Sequence, residues 1–554
     1  MLNDKSKFTV AYFSLEIALE SQLKTYAGGL GILAGDLLKS AADLNFSMLG
    51  LSLLNRQGYF KQTLTLSGEQ IVQPDTAYNS TKLKKVPISV VVYIGAERVK
   101  VGVWEYLIKG LNNFIVPVYF LDTDFSENSQ ANRQLTSQLY GGDQEYRLKQ
   151  EIIFGRAGVK ILRLLGYKNL KKYHLNEGHG ALAAVELFLN SSQNNNQEKV
   201  AAVRRQVVFT THTPLKREQD VFLAAYLKQY QPDFPDYLPG LVNQGEVNLT
   251  VVCLYFSAYA NAVSKRHQKI SQKMFPGYQI KSITNGVNSL NWTAPEFKKL
   301  YDRQILNWRA FSPSLLNANK IPLIEIWLAH QKSKKRLTDY INNNSSVKLA
   351  KNVFTLGFAR RFTPYKRPEF LFNDLKKLLK IQRRVGQLQI IYAGKAHPRD
   401  LEGQELIKRI YKFRKELSPK IKVIFLADYD INQAKLLTAG VDLWLNTPLP
   451  PNEASGTSGM KAAHNGVPQL STADGWWLEG YKKNKTGWLI KEKNGAPGVK
   501  KNNLYDLLEQ EILPTYYHDP EKWQRIMRFT ISLNASYFNT DRVLRQYIKE
   551  AYGS

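Results

Sequence analysis

Short apolar runs alternate with amphipathic segments along most of the chain, and this alternation restricts the possible folds more than any other feature. Short apolar runs suit strands that are buried on both faces, and segments with apolar residues at helical spacing suit helices that cover a sheet. We therefore predict parallel sheets flanked by helices. The predicted strands are 8–13, 207–210, 353–359, 389–393, 423–426 and 443–445, and the predicted helices are 144–165, 180–190, 325–342 and 433–439.

Two α/β blocks of this kind divide the chain. A length of 554 residues exceeds what one compact core normally contains. We predict an N-terminal Rossmann-like domain over 1–286, a C-terminal Rossmann-like domain over 287–520, and a helical tail over 521–554. The predicted fold class is α/β with two Rossmann-like domains facing across a cleft. Ligands of such sheets bind at the carboxyl ends of the strands, so the site is expected in that cleft.

The composition argues against several classes of protein. Cys253 is the only cysteine, which excludes an intrachain disulfide and suits a reducing compartment. No apolar run is long enough to cross a bilayer, and no signal-peptide pattern opens the sequence, so we expect a cytoplasmic protein. The net charge of +29 can attract nucleic acid, but the lysines are spread along the chain without a nucleic-acid-binding motif. A solvated basic surface with no nucleic-acid or membrane partner is the preferred interpretation.

The segment Glu453–Lys461 carries the densest chemical signal. It follows an apolar strand and a proline-rich turn, and it consists mostly of glycine, serine, threonine and alanine before Lys461. Small residues let backbone N–H groups approach an anion, and the lysine can reach back toward whatever the loop holds. The alternative is an ordinary glycine–serine turn that ends in a surface lysine.

Two further segments indicate anion binding. Gly28, Gly29 and Gly31 open a predicted helix, which fits close approach of the backbone to a phosphate, although the spacing is not that of the dinucleotide fingerprint. The segment 360–367 places four cations directly after a predicted strand, and guanidinium and ammonium groups there can bind an anion. A packing turn and a solvated basic turn are the respective alternatives.

Polar turns after other strands suggest sugar or substrate contacts. His212 follows the strand at 207–210, and the segment 174–180 holds His174, Glu177 and His179. The spacing of these residues matches no familiar metal motif, so we expect no metal and favour hydrogen bonds to a polar substrate. Asn285 can make a similar contact or supply a turn.

Taken in this order, the segments resemble the glycogen and maltodextrin phosphorylase family over nearly the whole chain, and short bacterial and archaeal members are the most similar. Further signatures of that family lie at 11–16, 140–151, 396–400 and 474–477. The resemblance implies phosphorolysis of an α-1,4-glucan by inorganic phosphate, giving α-D-glucose 1-phosphate with retention. It also implies pyridoxal 5'-phosphate bound to Lys461 as a Schiff base and acting through its phosphate group. The expected partners are thus glycogen, starch or maltodextrin, phosphate and glucose 1-phosphate, and a homo-oligomer stays open.

The resemblance assigns a role to each candidate residue. The implied catalytic residues are Lys461, Arg361, Lys366 and His212. The implied cofactor-binding residues are Lys461, Gly28, Gly29, Arg360, Thr457, Ser458 and Gly459. The implied substrate-binding residues are Asn285, Glu453, Ser455, Gly456 and Tyr365, together with Arg361 and Lys366.

Three positions depart from the family pattern: His464 where leucine is expected, Ala427 where an acid is expected, and the unusual run 216–219. These departures bear on substrate range and rate more than on the cofactor. Two alternatives to a phosphorylase remain: a nucleotide-sugar glucosyltransferase of the glycogen-synthase type, and a non-catalytic glucan-binding relative.

Overall fold

A computed structural model describes residues 4–75, 81–494 and 500–553. The chain divides into two compact units. Unit 1 comprises Met1–Phe60, Pro74–Thr284 and Val543–Ser554, and unit 2 comprises Lys61–Gln73 and Asn285–Arg542.

The predicted strands and helices all coincide with elements of the structure. The strands are β1 (Val10–Ser14), β2 (Met48–Leu53), β3 (Lys61–Leu64), β4 (Gln70–Gln73), β5 (Lys84–Ile94), β6 (Glu97–Lys109), β7 (Ile115–Asp122), β8 (Lys172–Asn176), β9 (Val207–Thr211), β10 (Val221–Leu223), β11 (Glu246–Asn248), β12 (Tyr259–Ala262), β13 (Ile280–Ser282), β14 (Phe354–Ala359), β15 (Leu388–Ala393), β16 (Lys422–Leu426), β17 (Leu443–Asn446), β18 (Gln469–Thr472), β19 (Gly487–Ile490), β20 (Glu492–Asn494) and β21 (Lys500–Asn502).

The helices are α1 (Gly29–Asp43), α2 (Gln130–Arg133), α3 (Gln144–Ile152), α4 (Gly158–Leu164), α5 (Ala181–Leu189), α6 (Asn196–Gln206), α7 (Ala224–Tyr230), α8 (Leu249–Tyr255), α9 (Lys265–Met274), α10 (Ser289–Trp292), α11 (Pro295–Gln304), α12 (Leu323–Asn344), α13 (Leu375–Arg384), α14 (Leu401–Leu417), α15 (Ile431–Gly440), α16 (Ser458–Ala463), α17 (Trp477–Gly480), α18 (Leu504–Leu507), α19 (Leu513–His518), α20 (Pro520–Phe529) and α21 (Thr540–Tyr547). The predicted helix over 144–165 is interrupted by a π turn at Ile153–Ala157.

Unit 2 is built around one parallel sheet. Its strand order is β16-β15-β14-β17-β18-β19, in which every neighbouring pair is parallel. Numbered along the chain this order is 3-2-1-4-5-6, the arrangement of the dinucleotide-binding Rossmann fold. Nearly all of the residues in β14, β15 and β17 are buried, since helices cover both faces.

Unit 1 contains the same order within a larger sheet. The strands β7-β2-β1-β8-β9-β12-β13 are parallel, and the first six again follow the order 3-2-1-4-5-6. The sheet then continues from β7 through β6 to β5 as an antiparallel meander, which the sequence reasoning did not predict. Alternate residues of β6, such as Val99, Val101 and Val103, are buried, which is the pattern of an antiparallel strand.

The predicted helical tail over 521–554 is not a separate body. Residues to Arg542 belong to unit 2, whereas Val543–Ser554 belong to unit 1. The reason is side-chain packing: Val543, Leu544 and Tyr547 are buried in the same apolar cluster as Val10 and Tyr12 of β1. None of the helices in the described part of the chain combines the length and the apolar character that a membrane span needs.

Rossmann topology fixes where a ligand can bind in each unit. The chain leaves strand 1 in one direction and strand 4 in the other, so a crevice opens beyond the carboxyl ends of these two strands. These strands are β14 and β17 in unit 2, and β1 and β8 in unit 1. The loops that follow these four strands carry most of the residues that the sequence singled out, while His212 follows β9 and Asn285 follows β13.

Candidate active site

In unit 2, the loops after β14 and β17 bring charged side chains together. Arg360 directly follows β14, and Lys366 lies in the short 3-10 turn Pro364–Lys366. Arg367 then adopts a left-handed backbone with φ of 46°, which is uncommon for a residue with a side chain. Its guanidinium donates to the carbonyl oxygens of Thr447 and Pro448, so the turn is anchored to the loop that follows β17.

Glu453 is the centre of this charge cluster. Its Oε2 atom lies 2.6 Å from Nη2 of Arg360 and 2.5 Å from Nζ of Lys366. Burial alone would raise the pKa of Glu453, but the charges of Arg360 and Lys366 outweigh burial and hold that pKa at about 2. The carboxylate is therefore ionised at neutral pH. It keeps two cations in fixed positions at the carboxyl end of the sheet.

Arg360 has donors that Glu453 does not use. Its Nε and Nη1 atoms are buried and have no hydrogen-bond partner among the residues that the structure describes. Buried donors without a partner are costly, and such donors at a strand terminus are typical of a site that receives an anion. The arrangement fits a phosphate group next to Arg360.

Lys461 lies in the short helix α16 and is buried, with 7% of its surface exposed. Its Nζ atom is 4.0 Å from the ring centroid of Trp292, a cation–π distance. Asn465 joins the two segments, because its side-chain amide donates to the carbonyl oxygens of Trp292 and Lys461. The amine is therefore held inside the protein, and a solvent-facing lysine, the alternative reading of the sequence, is wrong.

His464, which departs from the family pattern, also links α16 to α10. It is fully buried, and its ring nitrogens lie 2.8 Å from the carbonyl oxygen of Met460 and 2.9 Å from the hydroxyl oxygen of Ser289. Burial lowers the pKa of His464 to about 4, so the ring is neutral at pH 7. Leucine could pack there but could not make either hydrogen bond.

The small residues between Glu453 and Lys461 occupy their positions for different structural reasons. Gly456 has a φ of 75°, a conformation that favours glycine. A Cβ atom on Gly459 would lie 1.5 Å from Oε1 of Gln469, so packing against β18 requires glycine there. The hydroxyl group of Ser458 accepts a hydrogen bond from Nε1 of Trp444, so its side chain supports the loop. Thr457 is the N-cap residue of α16, and Ser455 is buried.

The remaining candidates of unit 2 lie at the same loops. Arg361 is exposed, unlike Arg360 and Lys366. The ring centroid of Tyr365 is 4.4 Å from Nζ of Lys366. Asn285 is buried, and its carbonyl oxygen accepts a hydrogen bond from Arg542.

In unit 1, the glycine-rich loop after β1 is hydrogen-bonded to Glu16 on one side and borders open space on the other. The backbone N–H groups of Ala27 and Gly28 donate to Oε2 of Glu16 at 2.7 and 3.0 Å. A Cβ atom added to Gly31 would approach Glu16 within 2.8 Å, whereas Cβ atoms on Gly28 and Gly29 would meet no described residue within 4 Å. Gly28 and Gly29 thus border open space, as a backbone that receives a ligand would. Glu16 was not among the predicted site residues, although it closes the signature at 11–16.

His212 is held by groups from the loop after β8. Its Nε2 atom lies 2.6 Å from Oδ1 of Asn176, and its backbone N–H donates to Oε2 of Glu177 at 2.7 Å. Glu177 has a φ of 80°, a strained conformation of the kind that accumulates at functional sites. Burial lowers the pKa of His212 to about 3, so the imidazole is neutral at pH 7.

The expected substrate contacts of segment 174–180 are instead contacts within the protein. The ring of His174 bonds to the hydroxyl groups of Tyr552 and Thr210, and Glu177 supports His212. His179 lies 3.4 Å from Asp220, and Glu151, His179 and Asp220 offer ligand atoms within 4.8 Å of one another. The guanidinium of Arg147 donates to the carboxylates of both Glu151 and Asp220, so a cation already pairs with these two groups.

Comparison with known proteins agrees with this geometry. A family model described as carbohydrate phosphorylase matches residues 240–484. The maltodextrin phosphorylase of Thermococcus litoralis is 35% identical over 98% of this chain and 70% of its own length. The glycogen phosphorylase of Aquifex aeolicus is 34% identical over 99% of this chain and 87% of its own length.

The chain belongs to the carbohydrate phosphorylase family. Its two Rossmann-like domains are those of the GT-B type. An uncharacterized protein of Methanocaldococcus jannaschii is 30% identical over 98% of this chain and 99% of its own length. Carbohydrate phosphorylases generally depend on pyridoxal phosphate, and a buried amine on Lys461 together with unpaired donors on Arg360 suits that cofactor.

Proposed function

We propose that this protein is an α-1,4-glucan phosphorylase that transfers a glucosyl unit from the glucan to inorganic phosphate, with retention, and that it carries pyridoxal phosphate on the Lys461 amine. The observation that carries the proposal is the cation cluster after β14 and β17: Arg360 and Lys366 converge on one buried carboxylate, in a chain whose relatives are maltodextrin and glycogen phosphorylases. A phosphorylase must hold phosphate in a dry site, and fixed cations do so best.

The protein groups have two tasks: some would hold the cofactor, and others would bind the substrate phosphate. Lys461 would hold the cofactor covalently, while Arg360 and the backbone of Thr457, Ser458 and Gly459 would bind its phosphate, with Gly28 and Gly29 lining the same group. Lys366 and Arg361 would bind the substrate phosphate, with Tyr365 beside them. When bound, the cofactor supplies a second phosphate group that keeps the substrate phosphate protonated and in place.

The sugar-binding task falls to uncharged or neutralised groups. We assign contacts with sugar hydroxyl groups to Asn285, Glu453, Ser455 and Gly456, and contact with the reacting sugar to His212. The pKa of Glu453 is about 2, so this carboxylate cannot donate a proton at neutral pH. The substrate phosphate then gives its proton to the glycosidic oxygen as the C1–O bond breaks, and a phosphate oxygen bonds to C1 on the same face.

A direct assay tests the proposal. Purified protein incubated with maltodextrin and phosphate should release glucose 1-phosphate, and borohydride reduction followed by peptide mass mapping should place the cofactor mass on the peptide containing Lys461. A protein that is active only with a nucleotide sugar would instead be a glucosyltransferase. A protein that binds glucan and cofactor but releases no glucose 1-phosphate would be a binding relative.

A further inference from the structure

The turn Asp474–Trp476, after β18, is fitted closely to the loop that carries Glu453. Asp474 is buried, with 2% of its surface exposed. Its Oδ2 atom accepts the backbone N–H of Glu453 at 2.8 Å, and its Oδ1 atom accepts the backbone N–H of Gly475 at 2.9 Å. One carboxylate therefore joins the backbone of the two loops.

Two further contacts make the fit specific. The backbone N–H of Trp476 donates to the carbonyl oxygen of Ser455 at 3.0 Å. Gly475 has a φ of 54°, and a Cβ atom there would lie 2.3 Å from the same oxygen. Only glycine allows the turn to approach this closely. The backbone of residues 453–455 is thus held from one side by a rigid turn.

This anchoring has a consequence for the charge cluster. The Glu453 side chain projects from the anchored backbone and places Oε2 within 2.6 Å of both Arg360 and Lys366. Charge-assisted hydrogen bonds of this kind depend on position, so a shift of the Glu453 backbone would release the cations from their present geometry.

We propose that Asp474 is a positioning residue for the phosphate site, acting through the backbone of Glu453 on the placement of Arg360 and Lys366. The proposal rests on the proposed function, because that function assigns Lys366 to the substrate phosphate and Arg360 to the cofactor phosphate. It gives a physical role to the signature at 474–477, for which the sequence offered a resemblance but no task.

The test is kinetic. Asp474→Asn keeps the shape but has one acceptor oxygen in place of two, so one of the two backbone N–H groups loses its partner. We expect the KM for phosphate to rise about tenfold, with a smaller change in kcat, while cofactor absorbance per chain stays near the wild-type value. Asp474→Glu, which keeps both acceptors and the charge, should recover a large part of the phosphate affinity.

A double-mutant cycle separates positioning from general destabilisation. If Asp474 acts through Glu453, adding Asp474→Asn to Glu453→Gln should change the KM for phosphate no further. Asp442 provides the matched control, since it is also buried and accepts the backbone N–H of Thr355 at 2.7 Å. Asp442→Asn should lower the melting temperature and leave the KM for phosphate unchanged.

The outcomes are distinguishable. A wild-type KM in Asp474→Asn, or full additivity with Glu453→Gln, would overturn the role of Asp474 while leaving the proposed function intact. A wild-type protein that releases no glucose 1-phosphate would overturn the proposed function itself. If Asp474→Asn does not fold, the Asp474→Glu variant decides: a KM for phosphate moderately above that of wild type supports positioning by Asp474, and a KM equal to or below that of wild type contradicts it.

Discussion

The crevice beyond strands 1 and 4 has the same topology in both units, but the charged groups around it are arranged differently. In unit 2, the charged groups after β14 and β17 pair with one another, and Arg360 and Lys366 meet on Glu453. In unit 1, the carboxylates of Glu16 and Glu177 accept backbone N–H groups, and the nearby His212 is neutral. A fold that supplies the same crevice twice can therefore equip one crevice with paired charges and the other with backbone and neutral hydrogen bonds, through the loops alone.

Loss of Lys461 should have the largest effect. Lys461→Ala removes the amine that we assign to the cofactor, so absorbance of the bound cofactor and glucose 1-phosphate release should both fall to background. Lys435→Ala is the matched control, because Nζ of Lys435 also faces Trp292, at 6.0 Å from the ring centroid. If Lys461→Ala kept its cofactor, the assignment of the cofactor to the Lys461 amine would be wrong.

Lys366→Ala should come next. It removes one donor from the charge cluster, and kcat should fall about 10² to 10³-fold while cofactor content is retained. Lys395 is a suitable control, since it follows the neighbouring strand β15 and pairs with Asp428 at 2.6 Å. A similar loss of activity in Lys395→Ala would mean that basic side chains at this edge act collectively and not through the pairing on Glu453.

Acid should affect the two units differently. Burial lowers the pKa of His174, His179 and His212 to about 3 and that of His267 to about 4, and all four lie in unit 1. As the pH falls below about 6.5, the unfolded chain binds protons that the folded chain does not, so each histidine removes about 1.4 kcal/mol of stability per pH unit. In unit 2, burial also lowers the pKa of His464 to about 4, but among the described residues this is one group against four in unit 1. Glu453, with its lowered pKa, loses its contribution only as the pH falls below the unfolded carboxyl value of about 4.3.

Hydrogen exchange between pH 7 and pH 5, corrected for intrinsic rates, would measure this difference. Strands β8, β9 and β12 should lose protection before β14, β15 and β17 do. His518→Gln, which changes an exposed histidine, should leave the profile as it is. Simultaneous loss in both sheets would contradict the assignment of acid lability to unit 1.

The smallest effect is expected for Arg361→Ala. Because Arg361 is exposed, its interaction with phosphate is screened by water, and the KM for phosphate should rise only about two- to fivefold, with cofactor content unchanged. Arg399 is an exposed arginine after β15 and serves as the control. A loss as large as that of Lys366→Ala would show that the exposed cation contributes as much as the buried one.

Local pattern was enough to predict the parallel core of both units. Apolar runs such as 354–359 and 388–393 are buried on both faces, and the cations at 360–367 follow a strand as the sequence indicated. The antiparallel meander of β5 to β7 was missed, because no strand was predicted there and an alternating pattern does not give the direction of a strand's partner.

The supporting contacts could not be read from the sequence, since they join residues that are far apart in the chain. Ser458 was predicted to bind the cofactor phosphate, and its hydroxyl group bonds to Trp444; Gly459 is required by Gln469. Asp474 reaches Glu453 across 21 positions, and His464 reaches Ser289 across 175. The types of residue indicated an anion site, but only the fold shows which of them support it.

Residues 543–554 pack in unit 1, so this unit can complete its packing only after nearly the whole chain has been synthesised. Tyr547 and Tyr552 donate to or accept from Thr210, Asn261 and His174, deep in unit 1. The ribosome adds these two tyrosines only after the whole 285–542 stretch has been synthesised. The packing around His174 therefore stays incomplete until late in translation. We expect chaperones to protect the N-terminal sheet until then.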